Sequence, residues 1–421
     1  MAREMRDSGV AWIGAVPSSW SINSLSQLFV QVKNKNSNLQ ETNLLSLSYG
    51  KIKRRSIESS TGLLPESFDG YNIIEKDDIV LRLTDLQNDQ TSLRVGLAEE
   101  RGIITSAYLT IRKQAEMSAQ YLFYYLYSFD ISKGFYGMGG GVRQGLNWDG
   151  VKWLKVLVPP FDEQKRIAIY LSKKCAEIDA VLEKTRTAIG EYKKLKQAII
   201  TQAVTKGVRG DRPMKESGIG GIDKIPADWS VYKFSHIASV KCNLVPPKEY
   251  LDYPQVSPEN IEKGSGKLLP CKTVRNSGVI SGNHLFFEGQ ILYSKIRPKL
   301  NKVCIAPFSG LCSADMYPIE TESNTKFIVY YMRSDAFLNQ VAMITEDRVK
   351  MPKINQNELG AILVAIPPEK SEQIEITKYL DQSCAKIDEL ISKEEQLVLE
   401  LEIYKKSLIY EYVTGKKEVP M

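Results

Sequence analysis

Cationic and amide side chains concentrate in two stretches of the chain and are its strongest candidates for specific recognition chemistry. In the first stretch they are Lys51, Lys53, Arg54, Arg55, Arg82, Arg94, Arg143, Gln144 and Asn147. In the second stretch they are Lys272, Arg275, Asn276, Lys295, Arg297, Lys299, Asn301, Lys302, Arg348 and Lys353. Arg, Lys, Asn and Gln carry the hydrogen-bonding groups that match guanine and adenine edges. The sequence therefore predicts two surfaces that read nucleic acid; the alternative is two sets of solvated surface loops.

A glycine-rich loop from Gly139 to Gly145 belongs to the first stretch. Glycines let the backbone approach a groove closely, because they carry no side chain that would clash. Arg143 and Gln144 lie within this loop and could reach forward to base edges. The alternative is a flexible surface turn with a solvated charge.

Motifs typical of catalysis are incomplete in this chain. Residues 158–161, Val-Pro-Pro-Phe, resemble the Asn/Asp-Pro-Pro-Tyr/Phe loop of amino-methyltransferases, whose first residue must accept a hydrogen bond from the target amino group. Val158 and its counterpart Ile366 cannot accept one. No Gly-Lys pair precedes Ser or Thr, which excludes a P-loop, and residues 137–142 lack the third glycine of a dinucleotide-binding turn. These patterns predict that the chain does not itself transfer methyl groups or hydrolyse nucleotides.

A metal-dependent nuclease centre could be imagined from Asp149, Glu163 and Lys165, which combine carboxylates and a lysine near one proline turn. The second half of the chain has Ile374 where Lys165 stands. Acidic residues are also common at helix N-termini because of the helix dipole. We therefore expect these residues to be structural and predict no catalytic residues.

Composition predicts a globular protein of two or three domains. The 421 residues include 56 Lys and Arg, 50 Asp and Glu, and 43% hydrophobic residues, with a net charge of +6. The six cysteines form no Cys-x-x-Cys motif, so we expect reduced, mostly buried thiols and no metal site. No apolar run approaches the roughly 20 residues of a membrane-spanning helix, which predicts a cytoplasmic protein without membrane contact.

The chain repeats itself with a period of 209 residues. The phrase that begins at Met5 returns at Met214, and the phrase that begins at Glu163 returns at Glu372. Between these landmarks a common pattern of two strands and one helix survives, in residues 78–83, 105–111 and 121–128 of the first half and 290–295, 312–319 and 327–334 of the second. A constant frame is therefore predicted to carry two different inserts.

Each half ends in a long amphipathic segment that follows a double proline, which stops the preceding strand. Apolar residues recur there at alternating steps of four and three, which is typical of a coiled-coil seam. In the first segment the seam contains Leu171, Ile178, Leu182, Ile189, Tyr192 and Ile199, with polar interruptions at Thr185 and Lys196. In the second it contains Leu380, Ile387, Ile391, Val398, Leu401 and Leu408, with interruptions at the equivalent Glu394 and Lys405.

Charge favours pairing of these two segments with each other. Residues 158–212 hold 12 basic and 7 acidic side chains, and residues 366–421 hold 8 and 12. We predict an antiparallel coiled coil; the alternative is two helices that pack only on their own domains. The predicted domains are residues 1–157, a helix in 158–212, residues 213–365 and a second helix in 366–421.

The combination of motifs resembles the specificity subunit of Type I restriction-modification enzymes. The resemblance rests on the opening from Ser8 to Trp20, the Pro-Pro-x-x-x-Gln turn from Pro159 to Gln164, and the helix endings near Ala203 and Tyr412. Trp12 is replaced by glycine in the second half. The resemblance implies an α+β fold: two mixed α/β target recognition domains joined by two long helices in an antiparallel coiled coil, with a pseudo-two-fold internal repeat.

The resemblance also implies a division of labour. Double-stranded DNA, two methyltransferase subunits and restriction/translocase subunits would be the partners. S-adenosylmethionine, ATP and magnesium would be bound by those partner subunits, and this chain would be non-catalytic. The recognition domains would each read one half of a bipartite asymmetric DNA site. Two alternatives remain at this point: a coiled-coil scaffold without DNA specificity, and a self-contained DNA methyltransferase or nuclease.

Overall fold

The protein folds into two compact units in a computed structural model that describes residues 3–55, 67–86, 89, 91, 93–138, 145–348 and 350–420. The first unit comprises Met1–Thr185 together with Gln396–Met421. The second unit comprises Arg186–Glu395. Each unit therefore contains one predicted recognition domain and a segment of both long helices.

The first unit begins with short strands and ends in a long helix. Its strands are β1 (Met5–Asp7), β2 (Ala15–Pro17), β3 (Ser21–Ser24), β4 (Phe29–Val32), β5 (Leu45–Ser48), β6 (Lys51–Arg54), β7 (Asn72–Ile74), β8 (Ile79–Leu81), β9 (Val95–Leu97), β10 (Gly102–Ile104), β11 (Leu109–Lys113) and β12 (Lys155–Val158). Its helices are α1 (Leu25–Leu28), α2 (Ala119–Ile131), α3 (Trp148–Val151) and α4 (Phe161–Lys206), which continues into the second unit.

The second unit follows the same plan with more strands. These are β13 (Met214–Ile219), β14 (Ile222–Pro226), β15 (Ser230–Lys233), β16 (Ala238–Val240), β17 (Leu244–Val245), β18 (Pro254–Val256), β19 (Lys272–Thr273), β20 (Asn283–Phe286), β21 (Ile291–Ser294), β22 (Val303–Ile305), β23 (Gly310–Cys312), β24 (Met316–Thr321) and β25 (Leu363–Ile366). The helices are α5 (Phe234–Ile237), α6 (Val274–Ser277), α7 (Thr325–Arg333), α8 (Asp335–Ile344), α9 (Gln356–Ala361) and α10 (Lys370–Val413), with 3₁₀ turns at Pro247–Glu249, Pro258–Asn260 and Pro298–Leu300.

Three sheets of the first unit have a counterpart in the second. A four-stranded antiparallel sheet has the order β4-β11-β8-β9 in the first unit and β16-β24-β21-β22 in the second. Two-stranded pairs β1-β2 and β3-β12 correspond to β13-β14 and β15-β25. The remaining strands differ: the first unit adds the pairs β5-β6 and β7-β10, whereas the second adds a five-stranded sheet, β17-β20-β23-β18-β19. The strands common to both units thus correspond to the constant frame predicted from the sequence. The remaining strands belong to the two different inserts.

The predicted pattern of two strands and a helix is confirmed in both units. In the first it corresponds to β8, β11 and α2, and in the second to β21, β24 and α7. The helices begin at side-chain caps, because the Ser118 hydroxyl accepts from the Tyr121 amide and the Asn324 side chain accepts from the Phe327 amide. Both helices are buried along most of their length and form the centre of each hydrophobic core.

The long helices pack against each other within each unit. In the first unit the rings of Tyr170 and Tyr412 lie 4.7 Å apart, and Lys405 reaches Asp179. In the second unit Lys196 contacts Asp388, and Lys193 lies 3.4 Å from Glu395. Because the residue numbers rise along α4 while they fall along α10, the paired segments are antiparallel in each unit.

Candidate nucleic-acid interface

The turn before each long helix is fixed by a buried glutamine. Gln164 accepts a hydrogen bond from the Ser118 amide at 2.9 Å and donates to the Pro159 carbonyl at 2.9 Å. Gln373 repeats both bonds with the Asn324 amide and the Pro367 carbonyl. Since the first partner precedes α2 or α7, one side chain joins the insert to the long helix. This arrangement explains the Pro-Pro-x-x-x-Gln motif and fixes the base of each insert.

A carboxylate in the first turn of each long helix holds the beginning of that half of the repeat against the helix. Glu163 accepts a hydrogen bond from the Trp20 indole at 3.1 Å and pairs with Arg3. Glu372 is its counterpart in the second half; it accepts from the Trp229 indole at 3.2 Å and pairs with Arg212. All three members of the second set are the repeat equivalents of the first, so the two units use the same contact. Glu163 therefore has a structural role.

The central helix of each insert docks on the long helix through a tyrosine hydroxyl. Tyr124 lies 3.1 Å from the Ser172 hydroxyl, and Tyr330 donates to Asp381 at 2.9 Å. Burial raises the pKa of Tyr124 well above its usual value, so the phenol stays protonated at neutral pH. These contacts give each insert a fixed position on the helix frame.

The seam predicted along the long helices lies on their inward faces. Leu171, Ile178 and Leu182 are buried in the first unit, as are Leu380, Ile387 and Ile391 in the second. The other seam residues are buried or half-buried: Ile189, Tyr192, Ile199, Val398, Leu401 and Leu408. The lysine in each seam forms an ion pair with an aspartate of the facing helix. These pairs are Lys196 with Asp388 and Lys405 with Asp179, each at 2.6 Å. The two lysines are repeat equivalents, and so are the two aspartates.

The prediction that Arg94 contacts nucleic acid is wrong, because its side chain is completely buried. Its guanidinium donates to the carbonyls of Arg82, Thr84, Asp85 and Asp89, with 2.8 Å to Thr84. The side chain therefore ties together the backbone of the loop that follows β8. Sequence alone could not separate this role from base reading, because both use the same fork of donors.

Buried Asp130 supports the same loop from α2. Its carboxylate accepts a hydrogen bond from the Arg94 amide at 2.8 Å. Burial raises the pKa of Asp130 to about 6, and the Arg94 amide and guanidinium oppose that rise.

The prediction that Asn301 contacts nucleic acid is also wrong, since only 6% of its surface is exposed. Its amide donates to the Arg333 carbonyl at 3.2 Å, and its backbone adopts the left-handed conformation at the end of a 3₁₀ turn. Asn301 therefore stabilises the turn that carries Lys299. Lys302 is half-buried and donates to the Pro258 carbonyl.

Other predicted contacts are paired with carboxylates in their own unit. The pairs in the first unit are Lys51 with Asp179, Arg54 with Glu100, and Arg82 with Asp89. The pairs in the second unit are Arg275 with Asp252, Arg348 with Glu358, and Lys353 with Asp315. Asn147 caps α3 by accepting from the Gly150 amide, whereas the side chain of Asn276 is exposed. Arg143 and Gln144 lie outside the described residues.

Six of the predicted cations have no carboxylate partner among the residues that the structure describes: Lys53, Arg55, Lys272, Lys295, Arg297 and Lys299. Arg297 is exposed and held with a φ of 46°, because its amide donates to the Pro352 carbonyl at 2.7 Å. Lys295 lies over the Tyr317 ring at 5.4 Å. Unpaired cations keep their full charge for an anionic partner, so these six side chains remain the strongest candidates for nucleic-acid contacts.

Most of the second unit is similar to a known family. Residues 226–400 match the family model of the Type I restriction modification DNA specificity domain. This segment of the chain is therefore similar to the Type I DNA specificity domain. The match includes the unpaired cations Lys272, Lys295, Arg297 and Lys299.

Relatives of the specificity domain extend the likeness over the chain. The EcoDI specificity subunit of Escherichia coli is 34% identical over 250 residues, which cover 56% of this chain and 56% of that protein. The matched region therefore spans about half the length of that relative. The putative MjaX specificity subunit of Methanocaldococcus jannaschii is 23% identical over 424 residues, which cover 97% of this chain and 96% of that protein. The predicted resemblance to Type I specificity subunits is confirmed.

A solved structure shows the fold. It comes from work on complex assembly and conformational transition of the type I R-M system, and it superposes with a TM-score of 0.70 at 15% identity. The superposition covers 96% of this chain and 99% of that chain. Together with the mixed helices and strands, this likeness shows an α+β fold.

The three residues considered for a nuclease centre each have a separate partner. Glu163 is bound by Trp20, Asp149 pairs with Lys152 at 2.6 Å, and Lys165 lies 3.9 Å from Asp162. Within the described ranges, no group of three or more His, Cys, Asp or Glu side chains could hold a metal ion. Cys175, Cys304, Cys312 and Cys384 are buried free thiols, as expected. No helix in the described part of the chain is both long and apolar enough to cross a membrane.

The sequence-based interpretation missed the acidic partners of the seam lysines. Asp179 and Asp388 were not singled out, although they occupy equivalent positions of the repeat. The signal was present, because a lysine in an apolar seam needs a carboxylate on the facing helix. In an antiparallel pair built from two copies of one repeat, the two carboxylates must also be repeat equivalents of each other.

Proposed function

We propose that this chain is the DNA sequence-recognition subunit of a Type I restriction-modification complex. In this proposal each recognition domain reads one half of a bipartite, asymmetric double-stranded DNA site. The observation that carries the proposal is the repeated frame, in which Gln164 and Gln373 make the same bonds beneath two different inserts. Two rigidly mounted but different inserts are suited to two different half-sites.

The unpaired cations support DNA as the ligand. Lys53 and Arg55 belong to the first recognition domain, and Lys272, Arg297 and Lys299 belong to the second. Phosphate contacts from such side chains supply affinity, and contacts with base edges supply sequence preference. Arginine can donate two hydrogen bonds to guanine, so Arg297 is the proposed base-reading residue of the second domain.

The proposed role of the long helices is to form a coiled coil that sets the gap between half-sites and docks two methyltransferase subunits. The antiparallel contacts within each unit support the coiled coil. Exposed apolar side chains on the helices support docking, because apolar groups outside a core are suited to a partner protein. They include Val181 and Leu195 on α4 and Leu399 and Ile403 on α10.

The chain is proposed to be non-catalytic. Val158 and Ile366 cannot accept a hydrogen bond from a target amino group, so methyl transfer is assigned to the methyltransferase subunits with S-adenosylmethionine. DNA translocation and cleavage are assigned to restriction subunits with ATP and magnesium. Adenine N6 methylation by the assembled complex is the proposed readout of this chain's specificity.

Genome-wide mapping of N6-methyladenine, with and without this gene, tests the proposal. We expect loss of methylation at one bipartite, asymmetric motif when the gene is deleted. A methylome that does not change, in cells where the partner subunits are expressed, would contradict the proposal and favour a scaffold without DNA specificity. Methyl transfer by the purified chain alone would instead favour a self-contained enzyme.

A further inference from the structure

The hairpin formed by β5 and β6 presents a tyrosine at its tip. Ser48 pairs with Lys51, so the turn consists of only Tyr49 and Gly50. Both turn residues have positive φ, 48° for Tyr49 and 74° for Gly50. Two-residue turns of this kind strongly prefer Asn, Asp or Gly at both positions, because an L side chain clashes with its own backbone there. Tyr49 is therefore a strained residue at a position where an asparagine or a glycine would fit better.

The surroundings hold this tip in place. A Cβ atom at Gly50 would lie 3.2 Å from the Leu93 side chain, so the turn closely approaches its neighbours. The Lys51 ammonium lies 3.4 Å from Asp179 on α4, within the same unit. The inward face of the hairpin, with Leu47 and Ile52, packs into a hydrophobic cluster. The strain at the tip is thus maintained by the fold.

The Tyr49 side chain makes no interaction with the described residues that would offset this strain. It is 86% exposed, and its ring makes no hydrogen bond or aromatic contact with any residue that the structure describes. An exposed aromatic ring buries little surface in the free protein and can bury much more against a partner. Residues held in strained conformations persist where they serve a function. Both features indicate that the ring is presented to a partner.

Charge identifies that partner. The outward face of the hairpin carries Ser46, Ser48, Lys51 and Lys53, because the residues of each cross-strand pair share a face. Lys51 on this face pairs with Asp179, which also pairs with Lys405. Lys53 has no carboxylate partner in the described part of the chain, and hydroxyl and ammonium groups bind phosphate. A two-stranded β-ribbon also fits the width of the DNA major groove.

We propose that Tyr49 is a DNA-contacting residue of the first recognition domain, and this inference rests on the proposed function. The ring packs against a base of the half-site, and Lys53 contacts the phosphate backbone beside it. The rigid turn positions the ring before DNA arrives, so no ordering of the loop is needed on binding.

The test uses the full chain with its partner subunits and a duplex that carries the motif mapped by methylation sequencing. Tyr49→Gly relieves the strain, so we expect an equal or higher melting temperature together with about tenfold weaker binding, measured by fluorescence anisotropy at fixed salt. Tyr49→Asn, which also suits this turn, should behave alike. Tyr49→Phe should bind like the natural chain, because it keeps the ring.

Leu39 offers a matched control. It also has a positive φ, 50°, and is 54% exposed, but it lies outside the hairpin. Leu39→Gly should therefore relieve strain without weakening DNA binding. Unchanged binding by Tyr49→Gly, or a lower melting temperature in both the Gly and Asn variants, would overturn the inference. A natural chain that bound scrambled duplex as tightly as the motif would overturn the proposed function itself.

Discussion

Arg94 and Arg297 show how burial assigns two different roles to the same side chain. Arg94 is enclosed and donates to main-chain carbonyls, whereas Arg297 is exposed and has no carboxylate partner among the described residues. Removing a buried donor leaves its acceptors without partners, at a cost of about 1–3 kcal/mol for each group that stays dry. Removing an exposed donor leaves the fold intact. The two residues can therefore be separated by stability and binding measurements.

We expect Arg94→Ala to destabilise the first unit by about 3 kcal/mol and to lower the melting temperature by several degrees. Arg297→Ala should leave the melting temperature unchanged and weaken binding to the cognate duplex by about 1–3 kcal/mol, with relaxed preference at one base position. Thermal unfolding and anisotropy titrations against single-base variants of the motif measure both effects. An Arg297→Ala protein that lost stability but kept its base preference would contradict the assignment.

Residue type alone does not separate exposed side chains from buried ones. The unpaired residues Lys272, Lys295 and Lys299 have the exposure or setting expected of DNA contacts, but their role stays a prediction. Arg94 and Asn301 were misjudged because burial depends on which distant segments cover a side chain. Tyr49 was missed because a tyrosine within a strand pattern indicates a half-buried strand residue, and the turn becomes visible only once the cross-strand register is known.

Two equivalent ion pairs join the long helices along a mainly apolar seam. Lys196 with Asp388 and Lys405 with Asp179 each join α4 to α10 within one unit. A shift of either helix by one turn would separate each lysine from its aspartate. Polar groups in a seam are best known for fixing register, so these pairs are suited to hold the helices in a single alignment.

Charge reversal tests this role of the ion pairs. Lys196→Asp places two carboxylates together and should destabilise the second unit by about 1 kcal/mol. The combined variant Lys196→Asp with Asp388→Lys restores the opposite charges and should recover most of the loss, as a double-mutant cycle followed by thermal unfolding would show. The equivalent exchange at Lys405 and Asp179 is the internal control. Additive losses in the double variant would show that the two side chains do not interact.

Elements with strong periodicity were predictable, and elements built from loops were not. The seams of α4 and α10 follow a regular spacing over many turns, and the paired prolines give their starts. The strands β17 and β19 have only two residues each, too few for a pattern to develop. The five-stranded sheet also contains one parallel pair, β18 with β23, which joins segments far apart in sequence. Such pairing depends on tertiary packing.

Each unit repeats one frame of contacts. The Trp20–Glu163 bond recurs as Trp229–Glu372, and the paired glutamines recur in the same way. The repeat found in the sequence thus corresponds to equivalent bonds in the two units. What differs is confined to the additional strands of each insert, which the repeat could not describe because the two halves diverge there.

Lengthening both helices tests the proposed gap-setting role. Inserting about seven residues, one full heptad, after Ile189 in α4 and after Val398 in α10 would keep the seam in phase and add about 10 Å of helix. We expect the gap in the methylated motif to grow by about three base pairs, at about 3.4 Å each, with both half-sites unchanged. Insertion in one helix alone should abolish methylation, because the seams no longer match. A gap that stayed the same in the double insertion would contradict the gap-setting role.

Arg94 holds its loop by four main-chain carbonyls, a group that every amino acid supplies alike. Residues 82, 84, 85 and 89 can therefore exchange side chains without losing a bond to the guanidinium. The bonds to Arg94 are in this sense tolerant of mutation, because a change of side chain at these positions leaves each carbonyl acceptor in place. A lineage under pressure to recognise new sequences can thus change these side chains one at a time without removing an acceptor of Arg94.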